Sequence, residues 1–155
     1  MKKKISQLPI EDHYSNFKGN DTLKHLLDLQ ASIQKNTFNY DLDEIRKSLG
    51  SCYDYFAWNN SAMIDELAEF REALGGIDSH GKALWKPWKA LHTEAREKRF
   101  DDLSESELIE LKFEWIDLLH FMLNLASLIK LTPSEMFNMY LAKNAEVVNR
   151  KLNNY

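Results

Sequence analysis

A chain of 155 residues is most economically one domain, long enough to bury a core and too short for two independent ones. Hydrophobic residues make up 44% and charged residues 28%, an ordinary globular balance; the net charge of −4 argues against a protein that coats nucleic acid, while leaving room for a single phosphate-binding patch. One cysteine, Cys52, excludes an internal disulfide framework, and no apolar run has the length of a signal-peptide core or a membrane span, so the expectation is a cytoplasmic protein with no membrane contact.

Residues 1–20 are polar and turn-forming without a helical period, which predicts an N-terminal arm ahead of a single all-α domain at 21–155. Asp21 is placed to cap a helix on which Leu23, Leu26, Leu27, Gln30, Ile33 and Gln34 share a face. Gln30 and Gln34 at the edge of that face need hydrogen-bond partners, in the backbone, in water or in a ligand. Residues 41–49 predict a short amphipathic helix closed by Gly50, and the next helix is expected from Tyr53 to Leu74, where Gly75-Gly76 stops it. Residues 92–100 read as a charged, exposed helix. Ser104-Glu105-Ser106-Glu107 is a capping box that starts a long helix ending near Leu131. Thr132-Pro133-Ser134-Glu135 starts the last helix, with Met136, Phe137, Tyr140 and Leu141 as its expected core face. No segment alternates with the period of a strand, so the fold class is all-α.

The chemistry is concentrated in two acidic pairs. On the helix that follows Ser104, Glu110, Glu114, Asp117 and Asn124 fall within one narrow stripe, while Leu111, Trp115, Leu118, Leu119 and Met122 cover the rest of the girth. Burying an unpaired carboxylate costs roughly several kcal/mol, so an acidic line on an apolar helix calls for a cation. Glu66 and Glu69 have the same i, i+3 spacing as Glu114 and Asp117 on the helix that ends at Gly75. If the two faces oppose each other, four carboxylates converge and a hard divalent cation such as Mg²⁺ relieves their repulsion. Each pair alone reads more readily as a solvated helix face; two pairs, each on an apolar helix, bring the solvated and the metal-binding readings level.

Leu84-Trp85-Lys86-Pro87-Trp88-Lys89 places two Trp and two Lys around a proline, on a loop or at a helix start. Trp85, Lys86 and Lys89 could stack on a base and contact phosphates, or Trp85 and Trp88 could be core anchors beside solvated lysines; both readings stand at this point. Lys143, Asn144 and Arg150 gather near the C-terminus, where cations also favour the helix dipole.

Glu66-x-x-Glu69 and Glu114-x-x-Asp117, with Trp85-Lys86-Pro87-Trp88-Lys89, His120-Phe121, Lys143-Asn144-Ala145-Glu146, Arg150 and Tyr155, resemble the all-α nucleotide pyrophosphatases. That group joins MazG-like proteins and dimeric dUTPases, and the likeness is strongest to its T-even bacteriophage branch acting on dCTP and dUTP. The resemblance implies a MazG-like helical bundle, a homodimer, and two or more Mg²⁺ ions held by Glu66, Glu69, Glu114 and Asp117. It implies that Lys143, Asn144, Arg150 and Tyr155 bind phosphates and sugar, with Gln30 and Gln34 near the base. The substrate would be a pyrimidine deoxynucleotide, dCTP or dUTP and also dCDP or dUDP, cleaved by water to the monophosphate in the host cytoplasm if the chain is phage-encoded. Glu66 would take the proton of the attacking water, and a Gln amide, able to exchange donor and acceptor by a half-turn, would admit both bases at comparable efficiency. The chain departs from the family's usual Asn, Gln and Gly at Val147, Lys151 and Asn154.

Other classes fit less well. A MazG-like house-cleaning enzyme for other nucleotides shares the same acidic pairs. A carboxylate-bridged iron protein needs Glu-x-x-His on two helices, and only Asp117-x-x-His120 comes near it. A non-catalytic helical interaction protein leaves the acidic stripe without a purpose.

Overall fold

The computed structural model describes residues 18–76 and 80–152, with the backbone alone at His80. These residues form α1 (Thr22–Asn36), α2 (Leu42–Ile45), α3 (Leu49–Ala73), α4 (His80–Trp85), α5 (His92–Glu97), α6 (Glu105–Leu128) and α7 (Pro133–Leu152), with a 3-10 turn at Phe100–Asp102. The described residues contain no strand, as expected of an all-α chain. Among them no single helix is long and apolar enough to cross a membrane.

The expected caps form. Asp21 Oδ1 accepts from the Lys24 amide at 2.9 Å and starts α1. Ser104 and Glu107 close a reciprocal box at the head of α6, the Ser104 amide donating to Glu107 Oε2 at 2.7 Å and the Glu107 amide to Ser104 Oγ at 3.3 Å. Thr132 and Glu135 repeat it on α7, at 2.9 and 3.2 Å.

Several boundaries differ from expectation, among them the helix expected over 92–100, which ends at Glu97. Gly50 does not close a helix; it lies in the first turn of α3, because Ser48 Oγ accepts from the Ser51 amide at 3.0 Å and caps that helix four residues earlier than Tyr53. The predicted helix at 41–49 shrinks to α2. Helix α6 ends at Leu128 and not near Leu131. There Lys130 takes φ 57°, and the Leu131 amide donates back to Ala126 O at 2.9 Å and the Lys130 amide to Ser127 O at 3.1 Å, a Schellman closure built on a lysine. Arg46 adds to that closure, its Nε donating to Leu128 O at 2.9 Å and an Nη to Ser127 O at 2.5 Å.

The chain divides into two compact units, and α3 and α6 contribute residues to both. In the unit formed by Phe56–Met122, three pairings fix the direction of α3 against α6. Trp58 meets Phe121 edge to face at 5.9 Å, Glu66 lies by Asp117, and Gly76 abuts Glu107. The partners descend along α6 as α3 ascends, so the helices are antiparallel. Helices α4 and α5 pack on each other over Ala83 and Ala95, both buried, and His92 Nδ1–H donates to Ala83 O at 2.7 Å.

In the unit formed by Lys18–Tyr55 and Leu123–Tyr155, Leu27, Tyr55, Leu123, Ala126 and Leu128 are the buried apolar residues. Tyr40 packs edge to face on Tyr55 at 5.3 Å. The expected core face of the last helix is not a core face here: α7 has no buried residue, Phe137 is 64% exposed, Tyr140 and Leu141 are exposed, and Met136 is half-buried. The amphipathic period is real, but the described part of this chain offers no surface that covers it.

Candidate metal centre

Antiparallel packing brings Glu66 on α3 together with Glu114 and Asp117 on α6. One carboxylate oxygen from each lies within 4.8 Å of the other two. The i, i+3 spacing puts Glu114 and Asp117 side by side, and the apolar girth of α6 draws that face inward, so Glu114 is only 5% exposed. Its Oε2 is buried without a hydrogen-bond partner, alone in this among the described side-chain atoms. No lysine or arginine of the described residues forms an ion pair with Glu66, Glu69 or Glu114.

The electrostatics follow from that geometry. Burial first, then the charges of Glu69, Asp117, Glu110 and Glu66, pushes the Glu114 carboxyl up to about 7. Burial, Asp117 and Glu69 raise Glu66 above the usual carboxylate range. Burial also raises Asp117, against the opposing effect of His120, whose Nδ1 is 3.7 Å from Asp117 Oδ1. Three crowded carboxylates, one with an orphaned buried oxygen, form an acidic cluster that fits a divalent cation.

Glu69 stands apart. Its side chain is exposed and its oxygens are not among the three that converge, yet its charge has the largest effect on Glu114 after burial itself. It faces a cleft of about 570 Å³ lined by Glu69, Glu72, Ala73, Gly76, Gly81, Lys82, Glu110 and Glu114. Gly81 lets α4 start hard against the end of α3, since a Cβ there would lie 1.7 Å from the Glu72 carbonyl oxygen.

The remaining expected residues fall in three places. Trp85 and Lys86 sit after the cleft's Lys82, with the Lys86 ammonium 4.5 Å from the Trp85 ring centroid, and Lys89 is exposed. The core-anchor reading of the tryptophans fails, because Trp88 is 72% exposed and Trp85 is exposed too. In the other unit, Gln30 and Gln34 are buried on α1 and already engaged: Gln30 Nε2 donates to Asn124 Oδ1 at 2.9 Å, and Gln34 Oε1 accepts from Tyr55 Oη at 3.2 Å. In this arrangement Gln30 Oε1 and Gln34 Nε2 are the amide atoms left outside these two bonds, and a half-turn of Gln34 would keep a bond to Tyr55, whose hydroxyl can accept from Nε2 as well as donate to Oε1. Lys143, Asn144 and Arg150 are exposed on α7, where Lys143 and Arg150 both bind Glu146. Tyr155 lies outside the described residues.

Two residues escaped the sequence reading. Asn59 is fully buried on α3 and lies seven residues before Glu66, on the same helix face; that spacing mirrors Asp117 and Asn124 on α6 and was the available signal. Arg71 stacks on Trp85 with its Cζ 4.3 Å from the ring centroid, a contact that nothing in the local sequence announces.

Fold and site together define a class, an all-α protein with an acidic cluster on two antiparallel helices suited to a divalent cation. No family model matches the chain, and no solved structure matches it. Curated relatives do. The chain is 32% identical over 143 residues to the dCTP pyrophosphatase of enterobacteria phage T4, an alignment covering 87% of this chain and 83% of that one. It is 35% identical over 135 residues to the dCTP pyrophosphatase of enterobacteria phage LZ5, covering 81% and 78%. This chain therefore belongs to the phage dCTP pyrophosphatase family. It is also 31% identical over 140 residues to a T4 protein named DNA replication protein, of which it spans 36% of the length.

Proposed function

We propose that this protein is a Mg²⁺-dependent pyrophosphohydrolase that converts dCTP, and less efficiently dUTP, to the monophosphate and pyrophosphate. The observation that carries the reading is the buried, partnerless Oε2 of Glu114 beside Glu66 and Asp117. A cation held by these residues supplies neutralisation of phosphate oxygens and a lowered pKa for water. Glu66, Glu114 and Asp117 are the residues that hold it, with Glu69 completing the set from the cleft side. Glu66, the carboxylate on α3 that meets Glu114 and Asp117, accepts the proton of the attacking water. Lys143, Asn144 and Arg150 bind the phosphates and sugar together with Tyr155; Arg150 can grip two oxygens at once. Trp85, Lys86 and Lys89 belong to the substrate side as well, and the same chemistry extends to dCDP and dUDP.

Gln30 and Gln34 read the base in this proposal, and their amides as oriented here favour cytosine. Gln30 Oε1 and Gln34 Nε2 have no partner among the described residues. An acceptor and a donor in that order match the N4 amine and N3 of cytosine; uracil in the same register meets both with the wrong group. We further propose a homodimer in which a second copy covers the apolar face of α7.

Pyrophosphate release from dCTP, dUTP and dATP, with Mg²⁺ and with EDTA, tests the reading. Turnover of dCTP that EDTA and Asp117→Asn each abolish is the expected result. Full activity in EDTA, or a preference for dATP, would overturn it.

A further inference from the structure

The charge of this chain is unevenly distributed. Residues 81–100 hold Lys82, Lys86, Lys89, Arg96, Lys98 and Arg99 against Glu94 and Glu97, a net +4 within a chain of −4, which leaves −8 for the rest. Net charge hides this segregation. Some of these cations are answered locally: Lys82 by Glu72 at 3.5 Å, Lys98 by Glu107 at 3.0 Å and Arg99 by Asp101 at 3.3 Å. Lys86, Lys89 and Arg96, joined by Arg71 from α3, form no ion pair among the described residues. In a protein with excess carboxylates, four unanswered cations in one region mark a surface that lacks its counter-charge.

Aromatic rings lie among them. Trp85 is the hub, with the Arg71 guanidinium 4.3 Å and the Lys86 ammonium 4.5 Å from its ring centroid, and Trp88 meets it edge to face at 6.5 Å. The indole holds two like charges close together that would otherwise move apart. Trp88 itself stays largely exposed, as does Phe100 at the far end of the segment.

We propose that this surface binds a single-stranded nucleic acid, with a base stacked on the open ring of Trp88 and the flanking phosphates taken by Arg71, Lys86, Lys89 and Arg96. Exposed rings interleaved with unpaired cations are what a single strand requires, because every base offers a π-face and every linkage a charge. A duplex keeps its bases stacked and cannot use the ring. The four cations come from three places in the chain: Arg71 on α3, Lys86 and Lys89 after α4, and Arg96 on α5.

The test is fluorescence anisotropy of a labelled oligothymidylate of about 20 nucleotides, titrated with the full chain in EDTA and without nucleotide. Expected is saturable binding at low salt that weakens steadily as salt rises. Trp88→Ala weakens it about tenfold and Trp88→Phe retains most of it, while Arg96→Gln makes the salt dependence shallower. Pyrophosphate release by Trp88→Ala stays at the level of the parent chain. Flat anisotropy at the lowest salt or equal binding by parent and Trp88→Ala would each overturn the proposal. Should Trp88→Ala lose helical circular dichroism, Trp88→Phe and Arg96→Gln decide alone. With no nucleotide or metal in the titration, its failure leaves the hydrolase reading untouched.

Discussion

Gly76 leaves α3 with φ 85° directly against Glu107, so closely that a Cβ at residue 76 would lie 2.1 Å from Glu107 Oε1 and 3.0 Å from Lys98 Nζ. The stop of one site-bearing helix thus packs on the cap of the other. Gly76→Ala would combine the left-handed penalty of a residue with a Cβ and displacement of the capping carboxylate, a loss of about 2–4 kcal/mol. Urea unfolding measures it; a variant as stable as the parent would show that the turn relaxes freely.

Glu107 also sets an acid limit. Its bonds from the Ser104 amide and hydroxyl, then from Lys98, hold its carboxyl down to about 2. A carboxyl lowered on folding contributes stability that is present above its unfolded value near 4.5 and is lost as pH falls toward 2. Thermal unfolding between pH 5 and 2 should therefore fall less steeply for Glu107→Gln than for the parent. Parallel curves would mean that the cap titrates alike in the folded and unfolded chains.

Much of this was legible because it is local. The capping residues at Asp21, Ser104 and Thr132 act within three positions of themselves, and the i, i+3 carboxylates on apolar helices pointed to Glu66, Glu114 and Asp117, while Glu69 stays exposed outside their cluster. Gly50 misled because glycine at a helix end and serine at a helix start compete for the same few residues, and the Ser48 cap prevails. The face of α7 misled because amphipathicity states that a face needs cover without naming the cover. Arg71 was out of reach, since its partner Trp85 is brought to it by the turn after α3.

Removing one charge from the cluster should separate its folding role from its binding role. Between pH 4.5 and about 7 the folded, metal-free chain holds a proton on Glu114 that the unfolded chain releases, so its stability should fall as pH rises through that window. Glu114→Gln should make that slope shallower, with Glu66 and Asp117 supplying what remains, and leave the metal-free protein at least as stable at pH 8. It should also lose most of the rise in melting temperature that Mg²⁺ gives the parent, and turnover by about a hundredfold or more. A Mg²⁺ shift of the same size in parent and variant would place the cation elsewhere.

Base choice is the sharpest consequence of the polar contacts on α1. The Tyr55 hydroxyl donates to Gln34 Oε1 at 3.2 Å, which leaves Nε2 as the group Gln34 offers in this orientation. Four residues earlier, the bond from Gln30 Nε2 to Asn124 Oδ1 fixes Oε1. Cytosine suits that acceptor and donor as they stand, whereas uracil needs the Gln34 amide turned so that its oxygen meets the N3–H. Tyr55→Phe removes the restraint while keeping the ring that packs on Tyr40. The freed Gln34 amide can then turn its oxygen to the N3–H of uracil while Gln30 Oε1 still opposes O4, so the ratio of kcat/KM for dCTP over dUTP should fall, with dUTP remaining the poorer substrate. A purely structural role for Tyr55 would lower both substrates by the same factor and leave the ratio where it was. Parallel steady-state kinetics on the two nucleotides distinguish these outcomes, and an unchanged ratio would remove Gln34 from base recognition.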